Sequence, residues 1–93
     1  MEVAVTHHGA LSRYEARVGD ELAGFAEYRR DGGTVVFTHT EIADAYEGQG
    51  VGSRLARGAL DDVRAEGLLA EPRCWFIRGW IERHPDYADL VAR

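Results

Sequence analysis

The sequence predicts a mixed α/β (α+β) fold in a single domain over residues 1–93. It should contain an antiparallel meander of about four strands, then a helix, a short fifth strand and a C-terminal helix. Three observations carry this expectation. Residues 13–18 alternate strictly, with Tyr14, Ala16 and Val18 on one face and Arg13, Glu15 and Arg17 on the other, the two-residue period of a half-buried strand. Gly19-Asp20 and Asp31-Gly32-Gly33 are tight-turn signals between runs of strand formers. Past residue 50 the period changes, and Val51, Leu55, Ala59 and Val63 recur at four-residue steps, the apolar stripe of an amphipathic helix.

Taken in order, Val3 and Val5 alternate with Ala4 and Thr6 to open a first strand before His7, His8 and Gly9. Adjacent histidines on a strand point to opposite faces, and no Cys or His spacing in the chain resembles a zinc site, so no metal is expected. Arg13 to Val18 is the second strand, Leu22 to Tyr28 the third and Thr34 to Ile42 the fourth. The helix should run over residues 51–66, widened by Ala56 and Leu60 and stopped by Gly67, a favourable C-terminal residue. Gly58 lies inside it and costs ~1 kcal/mol against alanine, which close packing on a strand would explain. Leu68-Leu69-Ala70 begins the fifth strand, ended or bulged by Pro72. Phe76, Ile77, Trp80 and Ile81 mark the second helix, ended at His84-Pro85 because proline disfavours helix at the residue before it. Asp86 is placed to cap a last short turn carrying Tyr87, Leu90 and Val91.

Composition narrows the function classes. A formal charge of -5 argues against a protein built to coat nucleic acid. No run approaches the ~18 apolar residues of a membrane span, and no signal peptide precedes the first polar residues, so neither membrane nor export is expected. One cysteine, Cys74, forms no internal disulfide and points to the cytoplasm. All eleven basic residues are arginine, a side chain suited to phosphate, although codon bias gives the same count.

The stretch that organises the chain is Tyr46 to Glu66, which opens with Gly48, Gly50 and Gly52 and runs into the helix. Glycines at a helix mouth allow a tight turn and close approach of a ligand. The helix N-terminus behind them offers free N–H groups and roughly half a positive charge, together a seat for phosphate or pyrophosphate. An ordinary tight loop leading into a helix has the same composition. A P-loop requires a lysine, and this chain has none. A dinucleotide fingerprint requires a third glycine inside a βαβ unit, where Ser53 stands after a meander. The pyrophosphate loop of acyl-coenzyme A transferases is the third option.

Ile42 to Gly52, read I-A-D-A-Y-E-G-Q-G-V-G, resembles the central motif of the GNAT superfamily of N-acetyltransferases. The chain is more closely similar to that superfamily's small YjdJ-type members. His39-Thr40-Glu41-Ile42 before the loop, then Leu55, Ala59-Leu60, Arg64 and Gly67 along the helix, carry this likeness. Pro72-Arg73-Cys74 and His84-Pro85-Asp86-Tyr87 complete it. The resemblance implies a GNAT-like fold, with the fifth strand parallel to the fourth across a β-α-β crossover. It also implies acetyl-coenzyme A as acyl donor and an amine of unknown identity as acceptor. Glu47 stands where the motif has Arg or Gln, and Asp44 replaces its proline. Trp80 or Ile81 lies where many members carry a tyrosine general acid.

On this resemblance the backbone N–H groups of Gly48, Gln49, Gly50, Val51 and Gly52 hold the pyrophosphate, with Arg54, and also Arg57, in reach of its oxygens. The N–H near Ile42 would serve the thioester carbonyl. His39 or Glu41, on one face of the strand, would take the amine proton. Cys74, at a helix mouth that favours thiolate, is a candidate acid or nucleophile, and His84 a candidate partner for it. The acceptor side should be open, or closed by a second subunit, in a monomer or homodimer. Three functions follow as expectations: an N-acetyltransferase, possible on a peptide or protein; an acyl-coenzyme A-binding module without turnover; and a structural dimerisation domain.

Overall fold

The computed structural model describes residues 1–92. Its five strands are β1 (Ala4–His8), β2 (Arg13–Val18), β3 (Glu21–Asp31), β4 (Thr34–Ile42) and β5 (Leu69–Pro72). They form one sheet in sequence order, antiparallel from β1 to β4, with β5 parallel to β4. Helix α1 (Val51–Ala65) makes the crossover between the two parallel strands, and α2 (Trp75–Arg83) follows β5. The α/β (α+β) meander and crossover read from the sequence are therefore present.

Two elements differ from the sequence expectation. The third strand is longer than Leu22–Tyr28, because Arg29, Arg30 and Asp31 pair with Val36, Val35 and Thr34. A polar end to a strand carries no apolar alternation to announce it. Asp86 does not cap the last turn. It lies inside a 3-10 turn (Pro85–Leu90) that Pro85 opens and His84 precedes, with no side-chain cap bond, since the fixed φ of proline suits a first helical position.

One face of the sheet carries the core. Val51, Leu55, Ala56, Ala59, Leu60 and Val63 of α1 are buried, packed in one cluster with Tyr14, Ala16, Ala26 and Phe37 of the strands. Burial of each large side chain contributes ~1.5–3 kcal/mol. Gly58 has the packing reason its position required: a Cβ there would lie 2.8 Å from Val5. Helix α2 lies on the same side, with Phe76 against Gly52 and the Trp80 Nε1–H donating to Ser53 Oγ at 2.9 Å.

The opposite face is held by charge. Glu15 is only 3% exposed, yet its carboxylate accepts from Arg13 at 2.8 Å, Arg17 at 3.0 Å and His8 at 3.2 Å. Burial works to raise its pKa, but hydrogen bonds from the two guanidinium groups and His8 prevail and hold it below the usual glutamate value. His7, on the other side of the strand, stacks on Tyr14 with ring centroids 4.4 Å apart. The two histidines thus diverge, as their adjacency on a strand requires.

Candidate functional site

The site begins where β4 and β5 part. Their parallel register ends at Phe37 and Pro72. There the Phe37 carbonyl accepts the N–H groups of both Arg73 and Cys74, each at 3.0 Å. Beyond that fork β5 gives way to α2, while β4 continues to Ile42 still paired with β3. From Thr38 onward β4 therefore has one open edge. The Ala43 N–H bonds to Ala23 of β3, so by strand alternation the peptide groups of Thr40 and Ile42 point away from β3, to the open edge.

Alternation of side chains does not run unbroken along β4. Tyr28 faces Phe37 while Glu27 faces His39, leaving Thr38 as an extra residue, a β-bulge. The bulge shifts parity. Thr40 and Ile42 join the face that carries Phe37 and α1, and His39 and Glu41 go to the other. Bulges often re-aim side chains beside functional sites in this way.

On the helix side of this open edge lies a cleft of about 440 Å³. Thr40 and Ile42 form its floor, Gly48, Gly50 and Gly52 one wall, and Trp75, Phe76 and Arg83 of α2 the other. Gly48 and Gly50 hold φ of +75° and +80°, a left-handed backbone costly to side-chain-bearing residues. A Cβ at either would meet nothing within 4 Å, so conformation and not crowding requires glycine there. Arg54 N–H reaches the Gly50 carbonyl at 3.2 Å, and no side chain caps the N–H groups ahead of it. Those donors face the cleft end with the partial positive charge of a fifteen-residue helix behind them. The backbone thus fits a pyrophosphate.

The sequence-predicted residues divide into four groups. Ile42, Gly48, Gly50, Val51 and Gly52 all line the cleft. Gln49 turns back, its amide donating to the Ala45 carbonyl at 3.0 Å, which ties the loop to the 3-10 turn (Asp44–Tyr46) before it. Cys74, 6% exposed, sits behind the floor, its thiol donating to Thr40 Oγ1 at 3.3 Å.

The remaining candidates stand elsewhere. His39 and Glu41 are paired at 2.9 Å on the charged face, beside Phe25, whose ring centroid is 6.3 Å from that of His39. Arg54 and Arg57 line a separate groove with Val3, Val5 and Asp61, and Arg57 donates to the Tyr87 hydroxyl at 3.2 Å. His84 is not brought to Cys74. The two flank opposite ends of α2, separated by ~15 Å of helical rise. His84 instead stacks on Trp80 at 3.8 Å and donates from Nδ1 to the Trp80 carbonyl at 2.8 Å.

Sequence reasoning passed over Thr40, Tyr46, Trp75, Phe76 and Arg83, all of which line the cleft. Thr40 carried a usable signal, since it stands two residues before Ile42 and shares its face. Trp75 carried one as well, as a large indole outside the apolar positions Phe76, Ile77, Trp80 and Ile81, and the structure leaves it 75% exposed.

Residues 13–90 match the family model of the GCN5-related N-acetyl-transferases, and the chain belongs to that family. It is 45% identical over 47 residues to the protein NATD1 of Gallus gallus, a stretch covering 50% of this chain and 43% of that one. The match to NATD1 of Homo sapiens is also 45% over 47 residues, with 42% of that protein covered. For NATD1 of Danio rerio it is 37% over 60 residues, 62% of this chain and 54% of that protein. The chain thus spans about half the length of the relatives it matches. Among solved structures, the NMR solution structure of a GCN5-like protein from Staphylococcus aureus superposes with a TM-score of 0.73. It covers 96% of this chain and 87% of that one at 21% identity, a likeness of fold.

Proposed function

We propose that this protein is an N-acetyltransferase of the small YjdJ type, acting in the cytoplasm with acetyl-coenzyme A as acyl donor and an amine as acceptor. The observation that carries this reading is a single continuous cleft. It has the uncapped N–H groups of α1 at one end, the open edge of β4 along its floor and Cys74 behind Thr40. His39 and Glu41 are exposed beside the open edge of β4, which suits an amine carried on a peptide or protein better than a metabolite that needs an enclosed pocket.

Bound acetyl-coenzyme A supplies the reactive thioester. The N–H groups of residues 48–52 hold the pyrophosphate, and the Ile42 N–H donates to the thioester carbonyl as negative charge develops on its oxygen. The Cys74 thiol has two possible uses. As an acid it delivers its proton to the departing sulfur. As a nucleophile it takes the acetyl group while the coenzyme A sulfur leaves with the thiol proton, then passes the acetyl group to the amine, whose proton returns to the cysteine sulfur. The His39–Glu41 pair serves as base for an amine that arrives from the charged face of the sheet, which is the side it occupies.

A second reading, a binding module without turnover, draws support from Glu47, an exposed carboxylate in the cleft wall that opposes an anionic ligand. One set of measurements separates the two. Calorimetry should show coenzyme A binding that Gly50→Asn weakens, because asparagine tolerates the left-handed backbone while filling space over the donors. Unchanged affinity in Gly50→Asn would exclude the loop as the site. Intact mass spectrometry after incubation with acetyl-coenzyme A should show one acetyl group on Cys74 if cysteine is the nucleophile. With a peptide amine present, Cys74→Ala should slow turnover roughly 10²-fold or more with little change in affinity. Binding by the parent with neither adduct nor turnover would leave the module reading.

A further inference from the structure

The charge inside the cleft is unusual for a pyrophosphate site, and α2 supplies the missing part. Among the described residues lining it, Glu47 is the one anion and Arg83 the one cation. Arg54 and Arg57, the cations on α1 nearest the loop, line the other groove. The guanidinium of Arg83 forms no ion pair within 4 Å among the described residues. By contrast Arg13, Arg17, Arg64 and Arg73 all do.

The geometry of α2 brings Arg83 to this place. Trp75, Gly79 and Arg83 recur at four-residue steps, so they form one stripe along the helix. Gly79 sits mid-stripe, where it costs ~1 kcal/mol relative to alanine. A Cβ at Gly79 would lie 3.3 Å from the Arg83 guanidinium nitrogen. The guanidinium therefore folds back along the stripe, over the one position with no side chain. The Trp80–Ser53 hydrogen bond pins this part of α2 to the first turn of α1, behind the same uncapped N–H groups.

We propose that Arg83 binds the pyrophosphate of coenzyme A, supplying from α2 the side-chain charge that Glu47 removes from the glycine loop. Its planar fork matches two phosphate oxygens at once, and opposite Glu47 it restores a neutral wall. This inference rests on the donor-site reading given above.

Isothermal titration with coenzyme A, dephospho-coenzyme A and the phosphate-free pantetheine tests it. Arg83→Gln should weaken coenzyme A and dephospho-coenzyme A alike by about tenfold at low salt, leave pantetheine unchanged, and differ less from the parent at high salt. Arg78→Gln removes the same charge from an exposed position of α2 outside the cleft and should change nothing. Glu47→Arg combined with Arg83→Gln should recover most of the loss, because the charge returns to the wall from the loop side. Equal affinities for the parent and Arg83→Gln would overturn the proposal while leaving the donor site standing. A loss seen with coenzyme A but absent with dephospho-coenzyme A would overturn the pyrophosphate assignment. If the parent binds none of the three ligands, the donor-site reading falls, and this inference with it. Arg83 is exposed, so circular dichroism should show all these variants folded.

Discussion

From Thr34 to Phe37, β4 is paired on both sides, and Val35, Val36 and Phe37 are all 2% exposed or less. From Thr38 to Ile42 it keeps β3, loses β5, and buries none of its side chains fully. The same strand thus provides a core at one end and the floor of the cleft at the other. The switch occurs within one residue, at the fork where the Phe37 carbonyl holds Arg73 and Cys74. A strand with two neighbours spends its peptide groups on the sheet, whereas one with a free edge keeps them for a ligand. Stability and function should therefore separate along β4.

The largest effect expected on stability is at Phe37. Phe37→Ala empties a fully buried site and should lower the unfolding free energy by ~3–5 kcal/mol, read from urea denaturation. A loss under ~1 kcal/mol would mean that the inner half of β4 is not the core it resembles. Thr40→Val sharpens the other side of the comparison. It removes the hydroxyl that meets Cys74 and should change stability by less than ~1 kcal/mol. Alkylation of Cys74 by iodoacetamide should nevertheless change several-fold. Equal alkylation rates in parent and variant would detach Thr40 from the thiol.

The remaining effect lies on the charged face, is smaller than that at Phe37, and depends on pH. The folded pKa of Glu15 lies below the ordinary value of 4.5. Its ionised form therefore adds stability above about pH 4.5, and that stability is lost as pH falls through the lower folded value. Glu15→Gln should unfold more readily than the parent at pH 7, by ~1–3 kcal/mol. Between pH 5 and 3 the parent should lose stability toward the variant. Parallel stability curves over that interval would show that the bonds from Arg13, Arg17 and His8 to the ionised Glu15 contribute nothing to folding.

Much of the fold was legible because period and punctuation agree. Thr34–Ile42 and the start of α1 at Val51 follow directly from residue types, and the left-handed Gly48 and Gly50 stand where the loop demanded them. The face of His39 and Glu41 was not legible. Nothing in Phe37-Thr38-His39 marks Thr38 as an extra residue, yet that one residue decides which side chains reach the cleft. His84 misled for a different reason. Ten residues along the chain is close in sequence, but a helix between the two holds them apart. Arg83 was hidden because its role depends on α2 leaning against α1, a contact made by Trp80 and Ser53 that neither segment reveals alone.

The fork at Phe37 also acts as a ruler. Past it β4 runs on for the five residues Thr38 to Ile42, before the 3-10 turn that leads into the glycine loop, a span of ~16 Å at about 3.3 Å per residue. An extended arm anchored by phosphate at the loop can deliver its sulfur beside Cys74 only if its length matches that span. On the donor site proposed above, the length of β4 past its last bond to β5 would therefore select donors by reach, before any contact with the acyl group is made.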